Sequence, residues 1–157
     1  MLAISIWQPH ATLLALGPKI HETRHWQPSP AILARIHGQR IVIHASKNTS
    51  DLRDLAAHIH DKAKGFTVDP VWDPFADALK DHIDDVMALP LGAIVGTAIF
   101  KAVHLCTATD DFGPFGNFNP GRYAWEMANP VAFKQPIPWT ARQGWFDIPN
   151  DVIAQSA

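Results

Sequence analysis

Apolar residues alternate with small or polar ones from the start of the chain. Leu2, Ile4 and Ile6 interleave with Ala3, Ser5 and Trp7, a period of two that predicts a strand. Pro9 then stands where a helix can begin without losing a needed N–H, Ala11, Leu14 and Ala15 supply its stripe, and Gly17 supplies its stop. The following Lys19 to Trp26 stretch is too polar for a core strand and too short for a striped helix, so it is expected to run extended at the surface. Ser29-Pro30 opens a short helix that ends at Gly38, and the β-branched run from Gln39 to Ala45 predicts a central strand. Ser50 can cap a helix bearing Leu52, Leu55, Ala56, Ile59 and Ala63 on one face, with Gly65 as its end. Phe66 to Trp72 reads as a connection or flap. Asp73-Pro74 starts the next helix, whose stripe is Phe75, Leu79, Ile83 and Val86.

The longest strand signal covers Leu91 to Leu105, where Gly92 and Gly96 suggest a bent or bulged strand. Asp110 to Gly121 forms a loop rich in Gly, Pro, Asn and Phe. Strands follow at Arg122 to Met127 and Gly144 to Ile148. Strands interrupted by helices, with no βαβ rhythm and no Gly-rich phosphate loop, predict a mixed α/β (α+β) fold. The expected form is a small curled β-barrel of about five or six strands with peripheral helices, in preference to a doubly wound sheet.

The length of 157 residues fits one domain over residues 1–157, with a core over 2–149. No apolar run approaches the roughly 20 residues that span a bilayer, and the N-terminus has neither a basic region nor a cleavage signature. A cytoplasmic protein without membrane contact is expected. The net charge of -2 argues against a protein that coats duplex nucleic acid, yet leaves room for a local basic site holding one nucleotide or a short single strand. Cys106 is the only cysteine, which excludes an internal disulfide and Zn–S₄ or CxxC chemistry, and it is expected to be a buried apolar filler in preference to a nucleophile.

Three polar segments carry candidate chemistry. Lys19, Glu22 and Arg24 place two cations and a carboxylate within six residues, a set suited to anion recognition or proton transfer, or simply to an Arg–Glu pair that fixes the segment. Ser46 and Lys47 end the predicted central strand and could hold a phosphate or carboxylate. His44 beside them reads first as a satisfied, partly buried histidine and second as a base. Arg122 with Tyr123 and Trp125 joins a cation to aromatic rings, as base stacking and phosphate pairing require, with Trp125 assigned to the core. The nine histidines invite a metal, but His21 with His25, or His58 with His60, form no ligand motif and no H-E-x-x-H is present. Neither metal nor cofactor is expected.

These segments, taken in order, resemble the ASCH domain of the PUA-like superfamily, nearest to small bacterial stand-alone ASCH proteins. The family's S-I-x-Q-P opening matches Ser5 to Pro9, and its G-x-K-x-x-E-x-R-x-W element matches Gly17 to Trp26. Its I-H-A-S-K strand end matches Ile43 to Lys47, L-P-x-G-x-I-V-G matches Leu89 to Gly96, G-R-Y-A-W matches Gly121 to Trp125, and the closing Q-G-x-W/F element matches Gln143 to Phe146. His10 stands where the family usually has a tryptophan, which would make one wall of a cleft titratable. The resemblance implies a barrel with a cleft beside it, RNA-related binding and, in some small relatives, hydrolysis of RNA or of acylated cytidine. In the amidohydrolase branch a lysine is followed three positions later by threonine. Lys19 maps onto that lysine, Glu22 replaces the threonine, and the Gly92–His104 strand offers no obvious partner carboxylate.

The expected function is therefore an RNA- or nucleotide-binding domain whose positively charged cleft is lined by Lys19, Glu22, Arg24, Ser46, Lys47, Arg122, Tyr123 and His10. As a hydrolase (a ribonuclease or nucleoside amidohydrolase), Lys19 would serve as base or nucleophile and Glu22 as proton shuttle, with Arg24 or Lys47 on the oxyanion. A third alternative is a protein-interaction module that uses exposed aromatics between Phe112 and Phe118.

Overall fold

A computed structural model describes residues 1–154, so the last three residues of the span expected to form the domain lie outside the described residues. In chain order the elements are β1 (Leu2–Ile6), α1 (His10–Leu16), β2 (His21–Arg24), α2 (Pro30–Ile36), β3 (Arg40–Ala45), α3 (Ser50–Ala63), α4 (Asp73–Leu79), β4 (Ala93–Leu105), β5 (Tyr123–Pro138), β6 (Trp145–Asp147) and α5 (Asn150–Ala154). Short 3-10 turns at Pro70–Trp72 and Val86–Ala88 join the helical segments. No described helix is long and apolar enough to cross a membrane.

The six strands form one sheet in the order β2-β5-β4-β3-β1-β6. The β1–β3 pair is parallel and the others are antiparallel. This overturns the expected curled barrel. β2 and β6 are the two edges and do not pair with each other among the described residues. A side chain stands where closure would need a ladder: Arg24 of β2 reaches the Ser5 carbonyl of β1 with its guanidinium, so that backbone acceptor is satisfied without strand pairing. The bending signal at Gly96 is spent on bulges in the β4–β5 ribbon, whose register shifts at Ile94/Gly96, Thr97/Ile99 and Phe100/Ala102. A Cβ at Gly96 would collide with the Val131 carbonyl, so the bulge brings two backbones into contact that only glycine permits.

Both faces of the central strands are covered. On one face Ile4, Ile6, Ile41, Ile43, Phe100 and Trp125 join Leu14 of α1 in the main core. On the other, Ala3, Val42 and Ile94 pack with Phe146 and Ile148. Their near-continuous burial follows from this double cover. A third cluster joins α3 and α4 through Leu52, Leu55, Phe75 and Leu79. The helix expected to run from Phe75 to Val86 stops at Leu79, and Val86 reaches that cluster from the 3-10 turn instead. Cys106 is buried as expected, and burial, reinforced by Asp110, pushes its thiol above the usual range.

Candidate binding cleft beside the open sheet

The unclosed side of the sheet is where the polar residues gather. Arg24 on β2 donates from NH2 to the Ser5 carbonyl of β1 at 2.9 Å, so a side chain spans a gap that no backbone ladder closes. A cavity of about 390 Å³ opens there between Ile6 and Trp7 on one wall and Glu22, Arg24 and Trp26 on the other. This volume is in the usual range for a small-molecule site, roughly 300–1,000 Å³.

Local structure sets each group in place. The buried Gln8 caps α1 by accepting from Thr12 N through Oε1 at 3.1 Å, and its Nε2 donates to Thr12 Oγ1 and to the Pro90 carbonyl. Gly17 ends α1 in the left-handed region at φ 108°, and the N–H groups of Gly17 and Lys19 both return to the Leu13 carbonyl. This turn folds Lys19 inward beneath the cleft, where only 2% of it is exposed. Its Nζ lies 3.4 Å from Glu22 Oε2 and donates to the Phe115 carbonyl of the aromatic loop. Glu22 Oε1 meets Arg24 NH2 at 3.0 Å, and the Arg24 guanidinium stacks 5.8 Å from the Trp125 ring.

The charges in this buried row hold one another. Burial works to raise the Glu22 carboxyl, but the Lys19 and Arg24 cations and the Lys19 hydrogen bond outweigh it, so the group stands below the usual carboxylate range. Burial pushes the Lys19 ammonium below its ordinary value, with Glu22 working against the shift. Each Glu22 oxygen faces one cation and retains a second lone pair. Arg24 Nε is buried without a hydrogen-bond partner.

His10, Glu22, Arg24 and Arg122 all line the one cavity. His10 Nε2 meets Asp51 Oδ2 of α3 at 3.1 Å, and its ring packs edge-on to Phe75. Arg122 Nε donates to Thr23 Oγ1 at 3.1 Å and to the Asn117 carbonyl at 2.9 Å. Lys19 sits below the floor. Ser46, Lys47 and Tyr123 are outside the lining. Ser46 Oγ accepts from Asn48 N, the Lys47 chain lies over Gly92, and Tyr123 packs against the main core. His44 is the satisfied histidine expected first: Nε2 donates to the Trp139 carbonyl at 2.9 Å, which leaves Nδ1 to accept from Ser5 Oγ at 3.0 Å. Burial lowers its pKa, a shift the Trp139 bond opposes.

Sequence reasoning passed over Trp7, Trp26 and Asp51 among the lining residues. Trp7 was not legible from alternation, because it lies just past the end of β1, whose two faces are both buried; it is 46% exposed. Nor was Asp51, because its partner is 41 residues away.

The solved structure of an ASCH protein from Zymomonas mobilis shares this fold. The match has a TM-score of 0.52 at 14% identity and covers 98% of this chain and 91% of that one. Two single-substitution variants of that protein, one Ser-to-Ala and one Tyr-to-Phe, match at 13% identity and 98% coverage of this chain, over 92% and 94% of theirs, with TM-scores of 0.49 and 0.48. No protein-family pattern and no curated protein matches the sequence. The chain has the fold of an ASCH protein.

Proposed function

We propose that the cleft binds RNA or a free nucleotide one residue at a time, taking a single unstacked base between Trp7 and the Glu22–Arg24 wall. The observation that carries this reading is the meeting of an exposed tryptophan, two arginines and a buried, ionised carboxylate around about 390 Å³. A base stacks on Trp7 and donates an exocyclic amine to the open lone pair of Glu22, while Arg24 and Arg122 face carbonyl or phosphate oxygens. Charge balance within the cleft, with Asp51 and Glu22 offsetting the arginines, fits one nucleotide better than a long phosphate track. Lys19 acts from below by holding Glu22, not by touching the ligand.

The test is fluorescence polarisation with a short unstructured RNA and with nucleoside monophosphates. Arg122→Ala and Arg24→Gln are expected to weaken binding about tenfold or more, the size of a lost charged hydrogen bond, roughly 1.5–3 kcal/mol. Unchanged affinity in both variants refutes the assignment.

One observation favours hydrolysis as a second reading: Lys19, its ammonium pKa lowered by burial, stands beside Glu22 at the base of the cleft. Reaction at Lys19 requires the Phe115 carbonyl to withdraw, because that group and Glu22 seal the amine. Product from acetylated cytidine or from RNA above a Glu22→Gln control would decide for this reading.

A further inference from the structure

Three donor-bearing side chains, far apart in sequence, meet on one face of the β2–β5–β4 ribbon. His21 lies directly across from Glu126, and His104 pairs with Ala124, two residues before Glu126, so a period of two sets all three on the same side. One ligand atom from each lies within 4.8 Å of the other two. His104 Nε2 is 2.8 Å from Glu126 Oε2. Independently, His21 Nδ1 is buried with no hydrogen-bond partner, an unsatisfied ring nitrogen that calls for an explanation. Phe112 roofs the group, its ring centroid 4.9 Å from that of His21 and 5.8 Å from that of His104.

We propose that His21, His104 and Glu126 form a site for a divalent transition metal of the zinc class, with a fourth position open to water or to a ligand. Two imidazoles and one carboxylate are a borderline donor set that suits zinc, whereas magnesium and calcium require more oxygens. Tetrahedral bonds of about 2.0–2.2 Å separate ligand atoms by about 3.3 Å, so His104 Nε2 and Glu126 Oε2, now 2.8 Å apart, part by about 0.5 Å to admit the ion, and the His21 nitrogen, within 4.8 Å of both, draws in by at most about 1.5 Å. The metal takes the place of the His104–Glu126 hydrogen bond and engages the His21 ring, which otherwise has an orphaned nitrogen. His104 and Glu126 are partly exposed, which gives an ion its way in. The competing arrangement is an ordinary His–Glu surface pair beneath an aromatic cover.

The experiment is calorimetric titration of the full chain with Zn(II), with Mg(II) as comparison, and visible spectroscopy with Co(II). Expected are one bound equivalent of zinc, no response to magnesium and the d–d band of tetrahedral cobalt. His104→Ala and Glu126→Gln should each weaken zinc at least about tenfold. Because those side chains are partly exposed, melting of the metal-free protein serves as the folding control and should barely move. The exposed His25→Ala should bind as the parent does. Absence of a stoichiometric zinc site, or equal zinc affinity in His104→Ala and Glu126→Gln, overturns the assignment. Neither readout involves a nucleotide, so the result stands apart from the cleft's own function.

Discussion

Two of the hollows beside the sheet invite comparison. One, of about 390 Å³, lies between β2 and the end of β1; the other, of about 600 Å³, lies beside β6 and is lined by Trp139, Arg142, Trp145 and Asp147. Both combine tryptophan, arginine and a carboxylate, and the second is the larger. They differ in what lies behind the wall. The β2 hollow rests on Glu22 and Lys19, both almost fully buried and held at fixed distances by Arg24 and the Phe115 carbonyl. At the β6 hollow the ion pair is exposed at the rim, Arg35 with Asp147 at 2.7 Å, and the buried polar group behind the wall is His44, bonded to the Trp139 carbonyl, with no buried ion pair among the described residues of its lining. Volume therefore ranks the two sites in the opposite order from preorganised charge, and preorganised charge is what recognises a polar ligand.

The sharpest way to break this contrast is to remove Glu22. Glu22→Ala leaves the Lys19 ammonium buried without its carboxylate, so a loss of about 3–5 kcal/mol is expected in urea unfolding, the cost of breaking a buried ion pair. A loss below about 1 kcal/mol would mean the row is solvated and the contrast false. The pH dependence sharpens the same point. Because the Glu22 carboxyl stands below its unfolded value, its contribution is complete above the unfolded pKa and is lost as pH falls through the folded one. The stability gap between the parent and Glu22→Gln should accordingly close in acid. Lys19 runs the other way. With its pKa lowered in the folded chain, its cost applies wherever it is protonated and eases as pH rises towards the unfolded value.

At the next scale, the two hollows can be compared by their tryptophans. Trp7→Ala should weaken single-stranded RNA about 5- to 150-fold, the 1–3 kcal/mol of a base–aromatic stack, while Trp139→Ala leaves binding unchanged. Trp7 is exposed, so its removal should leave melting nearly unaltered. Loss of binding in Trp139→Ala, with Trp7→Ala unaffected, would transfer the site to the β6 hollow.

How far these features were legible differs by physical cause. The strands with clean periodicity, β1 and β3, and the helix ending at Gly17 could be read locally because local sterics and alternation dictate them. β5 was expected to end at Met127 but runs to Pro138. Pro130, Pro136 and Pro138 look like breakers, yet β2 pairs with β5 only over Tyr123 to Glu126, so the rest of β5 has a free edge that tolerates a missing N–H. The barrel expectation failed because closure depends on whether two short, distant edges meet, a property no single segment encodes. In the cleft, Glu22 and Arg24 are close in sequence and could be grouped by inspection. Lys47 was grouped with them because it follows a strand end and falls in the I-H-A-S-K element of the resemblance; its chain lies over Gly92, outside the lining of this cavity. The His21, His104 and Glu126 group is invisible to spacing, since three strands must pair before it exists.

The smallest expected effect tests the β6 rim. Arg35 and Asp147 are 53% and 66% exposed in their side chains, so the Coulomb gain at 2.7 Å is screened and offset by the entropy of fixing two mobile groups. Arg35→Ala should therefore cost at most about 1 kcal/mol, and added salt should shrink even that difference. Near-identical urea midpoints for Arg35→Ala and the parent, beside a large shift for Glu22→Ala, would place the difference between the hollows in desolvation, because both wild-type pairs have good geometry. A loss at Arg35 comparable with that at Glu22 would show that the rim of β6 is tied into the fold far more tightly than its exposure implies, and the larger hollow would then regain its claim as a built site.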